Sequence, residues 1–303
     1  MTAPVERGTA ASAGRASAFE SARPRLFAIA YRMLGSVMDA EDVLGEAWLR
    51  WQEAPAEEIR TPEAYLTTIV TRLSINQLRS ARRRRETYVG PWLPEPLAAG
   101  PGADPSGHVE LAESLSMAFL VLLERLSPVE RAVFLLHEVF DFDYPRIAML
   151  VGKSEVSCRQ TLSRAKKRIG APRSRFDADP IEANRLLDRF TRAADAGDME
   201  GLLGLLAEDV AVWADGGGKA RGAALRPIHG ADAAARFIAG VLRRFVPAER
   251  TLRLCSINGE PGCVVHAAGW PVAALVFEIH GARVRTIYAV GNPDKLHALR
   301  DLP

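Results

Sequence analysis

Cysteine is scarce in this 303-residue chain: Cys158, Cys255 and Cys263 are odd in number and lack metal-type spacing. Neither a disulfide framework nor a zinc site is indicated, and no cofactor or metal is implied. No apolar run approaches the about 18 residues that a membrane span requires. Residues 1–18, rich in Ala, Ser, Thr and Gly, lack the apolar segment of an export signal. The expected location is therefore the cytoplasm. An excess of charge of one sign is also missing, since 39 Lys and Arg against 37 Asp and Glu leave a net charge of +2. Position tells more than the sum. One basic group comprises Arg79, Arg82, Arg83, Arg84 and Arg85, and a second runs Arg159, Arg164, Lys166, Lys167, Arg168, Arg173 and Arg175. Together with an acidic helix at 39–53, they imply a nucleic-acid partner and a separate protein partner. Apolar residues make up 48% of the chain, enough for more than one buried core.

Residues 1–18 are expected to be disordered and 19–86 to form a helical unit. Its first helix carries Leu26, Ile29, Ala30, Met33 and Leu34 at helical spacing and is broken by Gly35 and Ser36. Asp39 is placed to cap the second helix, whose first turn holds Glu41 and Asp42 against the positive dipole end and whose inner stripe is Val43, Ala47 and Trp51. The third starts at Thr61 and Pro62 and reaches about Arg85. Nine Pro and Gly residues between 90 and 107 mark a connector over 87–108. A second helical unit is expected over 109–170, with Ser127, Pro128 and Glu130 as N-cap, N1 proline and capping-box acid. A linker at 171–180 follows. Helices at 181–196, 198–206 and 231–245 are expected beside strands at 209–214, 251–258, 262–268, 271–279 and 283–290. That order points to an α+β domain over 181–291, helices packed on one face of a curved, mostly antiparallel sheet, with a tail at 292–303.

Tyr144 to Leu150, the turn Val151–Gly152–Lys153 and a helix from Ser154 to Ile169 read as a helix-turn-helix. Cys158, Leu162, Ala165 and Ile169 form its buried stripe. Ser157, Arg159, Gln160, Ser163, Arg164, Lys166 and Lys167 are left to face outward, where arginine and glutamine read base edges and lysines neutralise phosphates. A plain cationic surface helix is the alternative. On the third helix Arg72, Asn76, Arg79 and Arg83 align at i, i+4, i+7 and i+11, a row suited to a phosphate backbone and unstacked bases. For Arg82 to Arg85 alone, a solvated charge run or a localisation signal remains open.

With two helical units, a Pro-rich connector and a helix-turn-helix, residues 19–169 resemble the extracytoplasmic-function (ECF) sigma factors of bacteria. Asp39, Ala40, Glu41, Asp42, Val43 and Leu44 look like the family's polymerase-binding segment, Thr61 to Leu66 like the entry to its minus-ten helix, and Leu126 to Arg131 like the start of its minus-thirty-five domain. The resemblance implies core RNA polymerase as partner, through the β′ clamp helices and the β subunit, and promoter DNA. It assigns Asp39, Glu41, Asp42 and Glu46 to polymerase, Arg72, Asn76, Arg79 and Arg83 to the minus-ten side, and Ser157, Arg159, Gln160, Ser163, Arg164 and Lys167 to the minus-thirty-five side. Tyr88 to Pro96, including Trp92, Leu93, Pro94, Glu95 and Pro96, look like the connector signature of the sigma-J type subgroup. Members carry a SnoaL-like extension, a conical α+β barrel. Asp215, Gly216, Gly217, Gly218 and Lys219, and Asn292, Pro293, Asp294, Lys295 and Leu296, match two further motifs of that subgroup. They are the expected regulatory residues, making an intramolecular contact with the sigma domains.

Relatives of such barrels include cyclases, so the extension's own acid/base candidates matter. Trp213, Asp215, His229, His266 and His280 show no pairing by spacing, and a lone strand histidine is more often structural than a base. Asp215 to Lys219 lacks the pattern of a phosphate loop; three glycines after a strand read as a tight turn. That turn is expected to present Asp215 and Lys219 at the rim, and the tail is expected to dock as a short helix on a neighbouring domain. Trp92 is the expected anchor of the connector, with a plain spacer as the alternative. The preferred reading is a non-catalytic sigma factor regulated in cis by its extension. A duplex-binding regulator with a ligand-sensing barrel and a cyclase-type enzyme are the alternatives.

Overall fold

The computed structural model describes residues 5–55, 59, 61–98, 115–170 and 180–300. The chain divides into two compact units, one of Met1–Arg83 with Leu123–Ala171 and one of Arg84–Leu122 with Pro172–Pro303. Of the connectors expected at 87–108 and 171–180, residues 99–108 and 171–179 lie outside the described residues. The connector from Arg84 belongs with the C-terminal unit.

The first unit is helical: α1 Val5–Leu34, α2 Val37–Glu53, α3 Pro62–Arg85, then α5 Pro128–Glu138, α6 Tyr144–Val151 and α7 Glu155–Ile169. Residues 5–18, expected to be disordered, belong to α1. Arg15 within them donates to the carbonyl of Trp51 at 3.1 Å, while the Trp51 indole donates to the Arg15 carbonyl at 3.0 Å. The cap of α2 is Ser36 and not Asp39: its hydroxyl accepts from the Asp39 amide at 3.1 Å, one turn inside the helix. Ser127 and Glu130 form the expected capping box. Arg131 is buried and answers a specific need, because the last carbonyls of a helix have no partner within it. Its guanidinium donates to Met33 O at the end of α1 (2.9 Å) and to Leu123 O (3.0 Å), and pairs with Glu124 at 2.6 Å. Buried Arg32 donates to Ala28 O and faces the Phe140 ring at 5.6 Å, and burial lowers its pKa to about 10.

In the second unit α8 Pro180–Ala196, α9 Met199–Leu205 and α10 Ala231–Arg244 accompany a six-stranded sheet in the order β2-β1-β6-β5-β4-β3. Its strands are β1 Leu206–Asp215, β2 Ile228–His229, β3 Arg250–Ile257, β4 Glu260–Ala267, β5 Trp270–His280 and β6 Arg283–Val290. β1 and β6 pair parallel and the other neighbours antiparallel. The sheet is open, with β2 and β3 as its edges, and with its helices it makes the α+β, cone-like domain that the sequence led to expect. Two-residue turns close the meander; Asn258 and Gly259 both have positive φ (54° and 75°), the backbone that matches strand twist in a hairpin.

Alternation of side chains gives the sheet two buried faces. Phe277, Ile279, Val284 and Ile287 pack with Leu187, Phe190 and Leu202 on the helix side, where Phe190 and Phe277 meet edge to face at 5.1 Å. The other face, with Val264, Ala274, Val276, Tyr288 and Val290, is covered by Leu93 of the connector, Met117 of α4 (Met117–Leu123), and Leu296 and Leu299 of the tail. The tail therefore packs on its own sheet, as two short 3-10 turns over Pro293–Lys295 and His297–Leu299. The apolar spacing of Leu296 and Leu299 explains why: three residues apart, they fall on one side of a 3-10 turn.

Candidate functional site

On α3 the apolar side chains Leu66, Val70, Leu73 and Leu78 are buried, which turns Arg72, Asn76, Arg79 and Arg83 to solvent as one row. Asn76 and Arg79 are neighbours at 3.5 Å. Arg72 is engaged within its unit, donating to Met149 O at 3.2 Å and Leu150 O at 3.4 Å, carbonyls near the end of α6.

The helix-turn-helix forms as its residues dictate. Asp143 caps α6, Gly152 ends it in the left-handed region (φ 66°) that glycine adopts without a Cβ penalty, and Ser154 caps α7. Cys158, Leu162, Ala165 and Ile169 are buried, while Arg159, Gln160, Ser163, Arg164, Lys166 and Lys167 are exposed and Ser157 is half-buried. Arg159 lies over the Tyr144 ring (4.8 Å) and reaches Glu155 at 3.1 Å, Lys166 pairs with Glu138 at 2.7 Å, and Arg168 with Glu130 at 2.8 Å. Phosphate contact by Lys166 would compete with that pair.

The four acidic candidates on α2 divide. Asp39 accepts from Gln77 of α3 at 2.9 Å and Glu41 pairs with Arg23 of α1 at 2.6 Å, so both tie α2 to a neighbouring helix. Asp42 and Glu46 are exposed, Glu46 pairing with Arg50 one turn on, at 2.6 Å. Two residues that sequence reasoning passed over, Met38 and Leu49, are exposed beside them at 55% and 59%. With spacings of four, four and three, Met38, Asp42, Glu46 and Leu49 share one helical face. Helical periodicity carries that signal, since Met38 and Leu49 fall outside the buried stripe of Val43, Ala47 and Trp51.

In the second unit three distant segments converge on Asp215, the last residue of β1. Its carboxylate is fully buried and accepts from the Tyr88 hydroxyl (2.5 Å), the Leu93 amide (2.8 Å), the Lys295 ammonium (2.7 Å) and the Gly217 amide (3.1 Å). Lys295 also donates to Leu93 O at 2.5 Å and lies 4.1 Å from the Trp92 ring centre, which Arg85 covers from 3.4 Å. Asn292 donates to the Tyr88 hydroxyl at 2.8 Å, and its own oxygen caps the Pro293 turn at Asp294 N. Burial lowers Lys295 to about 8 against the pull of Asp215; burial and the Asp215 carboxylate raise the Tyr88 phenol. A Cβ at Gly217 (φ 57°) would meet Asn292 Nδ2 at 2.4 Å, and one at Gly218 (φ 72°) would crowd Val89. A Cβ at Gly216 would meet that of Ala223 at 2.5 Å.

The rim placement expected of Asp215 is thus overturned: only Lys219 of that pair is exposed, where it ion-pairs with Asp294. The connector's deepest anchor is Leu93, with Trp92 half-buried above it; Pro94, Glu95 and Pro96 are buried alongside. The catalytic candidates do not assemble. His229 and His280 are exposed, His266 is buried on β4 opposite Thr251, Trp213 packs toward the connector-side core, and Asp215 is fully occupied by structural donors. Among the described residues no group of His, Cys, Asp and Glu could hold a metal ion, and no helix is long and apolar enough to cross a membrane.

Residues 18–84 match the Sigma-70 region 2 family and residues 116–169 the Sigma-70, region 4 family. The ECF RNA polymerase sigma factor SigJ of Mycobacterium tuberculosis (strain H37Rv) is 40% identical over 293 residues, covering 92% of each chain. The probable ECF RNA polymerase sigma factor SigI of Mycobacterium tuberculosis (strain CDC 1551) is 30% identical over 286 residues, covering 94% of this chain and 95% of that relative. The crystal structure of the Mycobacterium tuberculosis extracytoplasmic function sigma factor SigJ superposes with a TM-score of 0.74 at 35% identity, covering 95% of this chain and 100% of that one. These matches define a promoter-directing initiation factor. The chain belongs to the ECF RNA polymerase sigma factors and directs core polymerase to promoters.

Proposed function

We propose that the α+β extension regulates this sigma factor in cis by fastening the connector, with no catalytic step and no cofactor. The observation that carries the reading is the convergence of Tyr88, Leu93 and Lys295 on one buried carboxylate. A spacer would have no need of it. A buried charge is tolerated only when paired and hydrogen-bonded, so the docked connector and the closed Asp215 site form or fail together. That coupling supports a two-state element whose balance sets how readily the promoter-binding halves are presented. The regulatory residues act through the connector rather than by direct contact with polymerase.

Asp42 and Glu46, flanked by Met38 and Leu49, suit the clamp helices of the β′ subunit, and α5–α7 the β subunit. Arg72, Asn76, Arg79 and Arg83 serve the minus-ten element; Ser157, Arg159, Gln160, Ser163, Arg164 and Lys167 serve the minus-thirty-five element. Such a factor works in the cytoplasm beside polymerase. Run-off transcription with core polymerase tests the reading. Removing residues 292–303, and separately everything after 180, is expected to change output from a cognate promoter, each differently. If chains that retain residues 19–170 all transcribe like the full protein, the extension is not a regulator.

A further inference from the structure

The connector touches the sheet a second time, away from the Asp215 site. Leu97 and Asn258 exchange hydrogen bonds: Asn258 N donates to Leu97 O at 2.7 Å, and Leu97 N donates to Asn258 Oδ1 at 3.0 Å. Ala98 bridges Ile257 antiparallel, on the outer edge of β3. At the start of α4, Met117 N donates to Glu260 Oε2 at 2.6 Å. Asn258 and Glu260 flank Gly259 in the β3–β4 turn, and both are 2% exposed. One hairpin turn therefore holds the outgoing and returning ends of the connector.

A surface hairpin has no use for a buried glutamate. Burial, with the Glu278 carboxylate on the neighbouring strand, pushes Glu260 up to about 8, against the help of the Met117 amide. A leucine there would spare that cost but would leave the Met117 amide buried without an acceptor, a loss comparable to a hydrogen bond. Asn258 likewise occupies a positive-φ position (54°) where glycine would be easier, and its side chain does what glycine cannot. Both residues are explained by the connector segments that they hold.

We propose that the β3–β4 turn is a second, separate fastening on the connector, in which Asn258 and Glu260 are positioning residues that fix Ala98 and Met117 and so hold the start of α4. This rests on the cis-regulation reading, and it adds that regulation has two contact points. Asp215 holds the connector's start; Asn258 and Glu260 hold its end and its return.

The test uses the full-length chain. Hydrogen exchange is followed on peptides spanning 88–96, 97–98 and 115–122 in the wild type and in Asn258→Gly, Glu260→Ala, Glu260→Gln and Asp215→Ala, with run-off transcription on the same samples. Glu260→Ala is expected to speed exchange at 115–122 on the order of tenfold while sparing 88–96. Glu260→Gln, which keeps an acceptor for Met117, should behave like the wild type. Asn258→Gly, which keeps the turn, should release 97–98 alone. Glu260→Ala should also shift transcription by about fivefold or more. Unchanged exchange at 115–122 in Glu260→Ala, or equal effects of Ala and Gln, overturns the proposal. Changed transcription in Asp215→Ala with none in Glu260→Ala or Asn258→Gly overturns the second fastening alone. Transcription unchanged in all of them overturns cis regulation as well.

Discussion

The faces of α3 and α7 and the cluster around Asp215 both use charged residues, in opposite settings. On the helices, the side chains of Arg79, Arg83, Arg159, Arg164 and Lys167 stand in solvent and cost the fold little. Around Asp215 a carboxylate and an ammonium are buried together with a phenol and a backbone amide. A charge kept in water remains available to a partner, whereas one kept from water must have its partner built in. The comparison separates the surfaces proposed to bind DNA from the site proposed to regulate them.

The sharpest way to break that contrast is to remove one half of the buried pair. Asp215→Ala strands Lys295 and is expected to cost about 3–5 kcal/mol, read from denaturant unfolding of the full chain. The double variant Asp215→Leu, Lys295→Met, which removes both charges, should recover only the part of the loss due to the stranded ammonium, because the Tyr88 hydroxyl and the Leu93 amide still lack their acceptor. Equal losses in the single and double variants would mean that the stranded Lys295 charge contributes nothing to the cost. Glu260 supplies the pH arm. Its folded pKa of about 8 lies above the ordinary 4.5, so between those values the unfolded chain gives up a proton that the folded chain keeps. Stability is full below about 4.5 and falls as pH rises, by at most about 1.4 kcal/mol per pH unit, until about 8. Glu260→Gln should flatten that part of the profile, and a profile identical to wild type would place the ionisation elsewhere.

Smaller effects are expected on the exposed side. Arg159→Ala or Arg164→Ala should lose about 1–3 kcal/mol of discrimination at the upstream element if either makes a bidentate base contact, with unfolding unchanged. Equal loss on every promoter variant would reassign them to phosphate. Charge reversal at Asp42 and Glu46 should weaken capture of core polymerase and leave thermal unfolding alone, since exposed carboxylates add little to stability. Loss of folding in that variant would contradict its assignment to a free face.

How much the sequence revealed follows the same divide. Helical period alone orients Arg72, Asn76, Arg79 and Arg83, and the Gly152 turn with Ser154 delimits α7, because each signal is contained within a few residues. The strand runs were legible too, but not the order that leaves the sheet open, which depends on parallel pairing of β1 with β6. Asp215 before three glycines reads locally as a rim turn. Its burial is decided by Lys295, 80 positions later, and Tyr88, 127 positions earlier, and no local pattern carries that. Ser36 and Asp39 both suit an N-cap by residue type, and only the hydrogen bond from the Asp39 amide to the Ser36 hydroxyl separates the two. The tail misled through its polar residues: Asn292 and Asp294 shape the turn, while Lys295 and Leu296 are buried by it.

The central claim is that the fastened connector sets promoter output, and run-off transcription with core polymerase from a cognate promoter, comparing full-length wild type, Asp215→Ala and the Asp215→Leu, Lys295→Met pair, tests it most directly. Breaking the site is expected to change output by about fivefold or more in both variants, since each removes the acceptor that holds Tyr88 and Leu93, with the smaller change in the apolar pair that strands no charge. Output that stays constant while hydrogen exchange shows residues 88–96 released in Asp215→Ala would contradict the account.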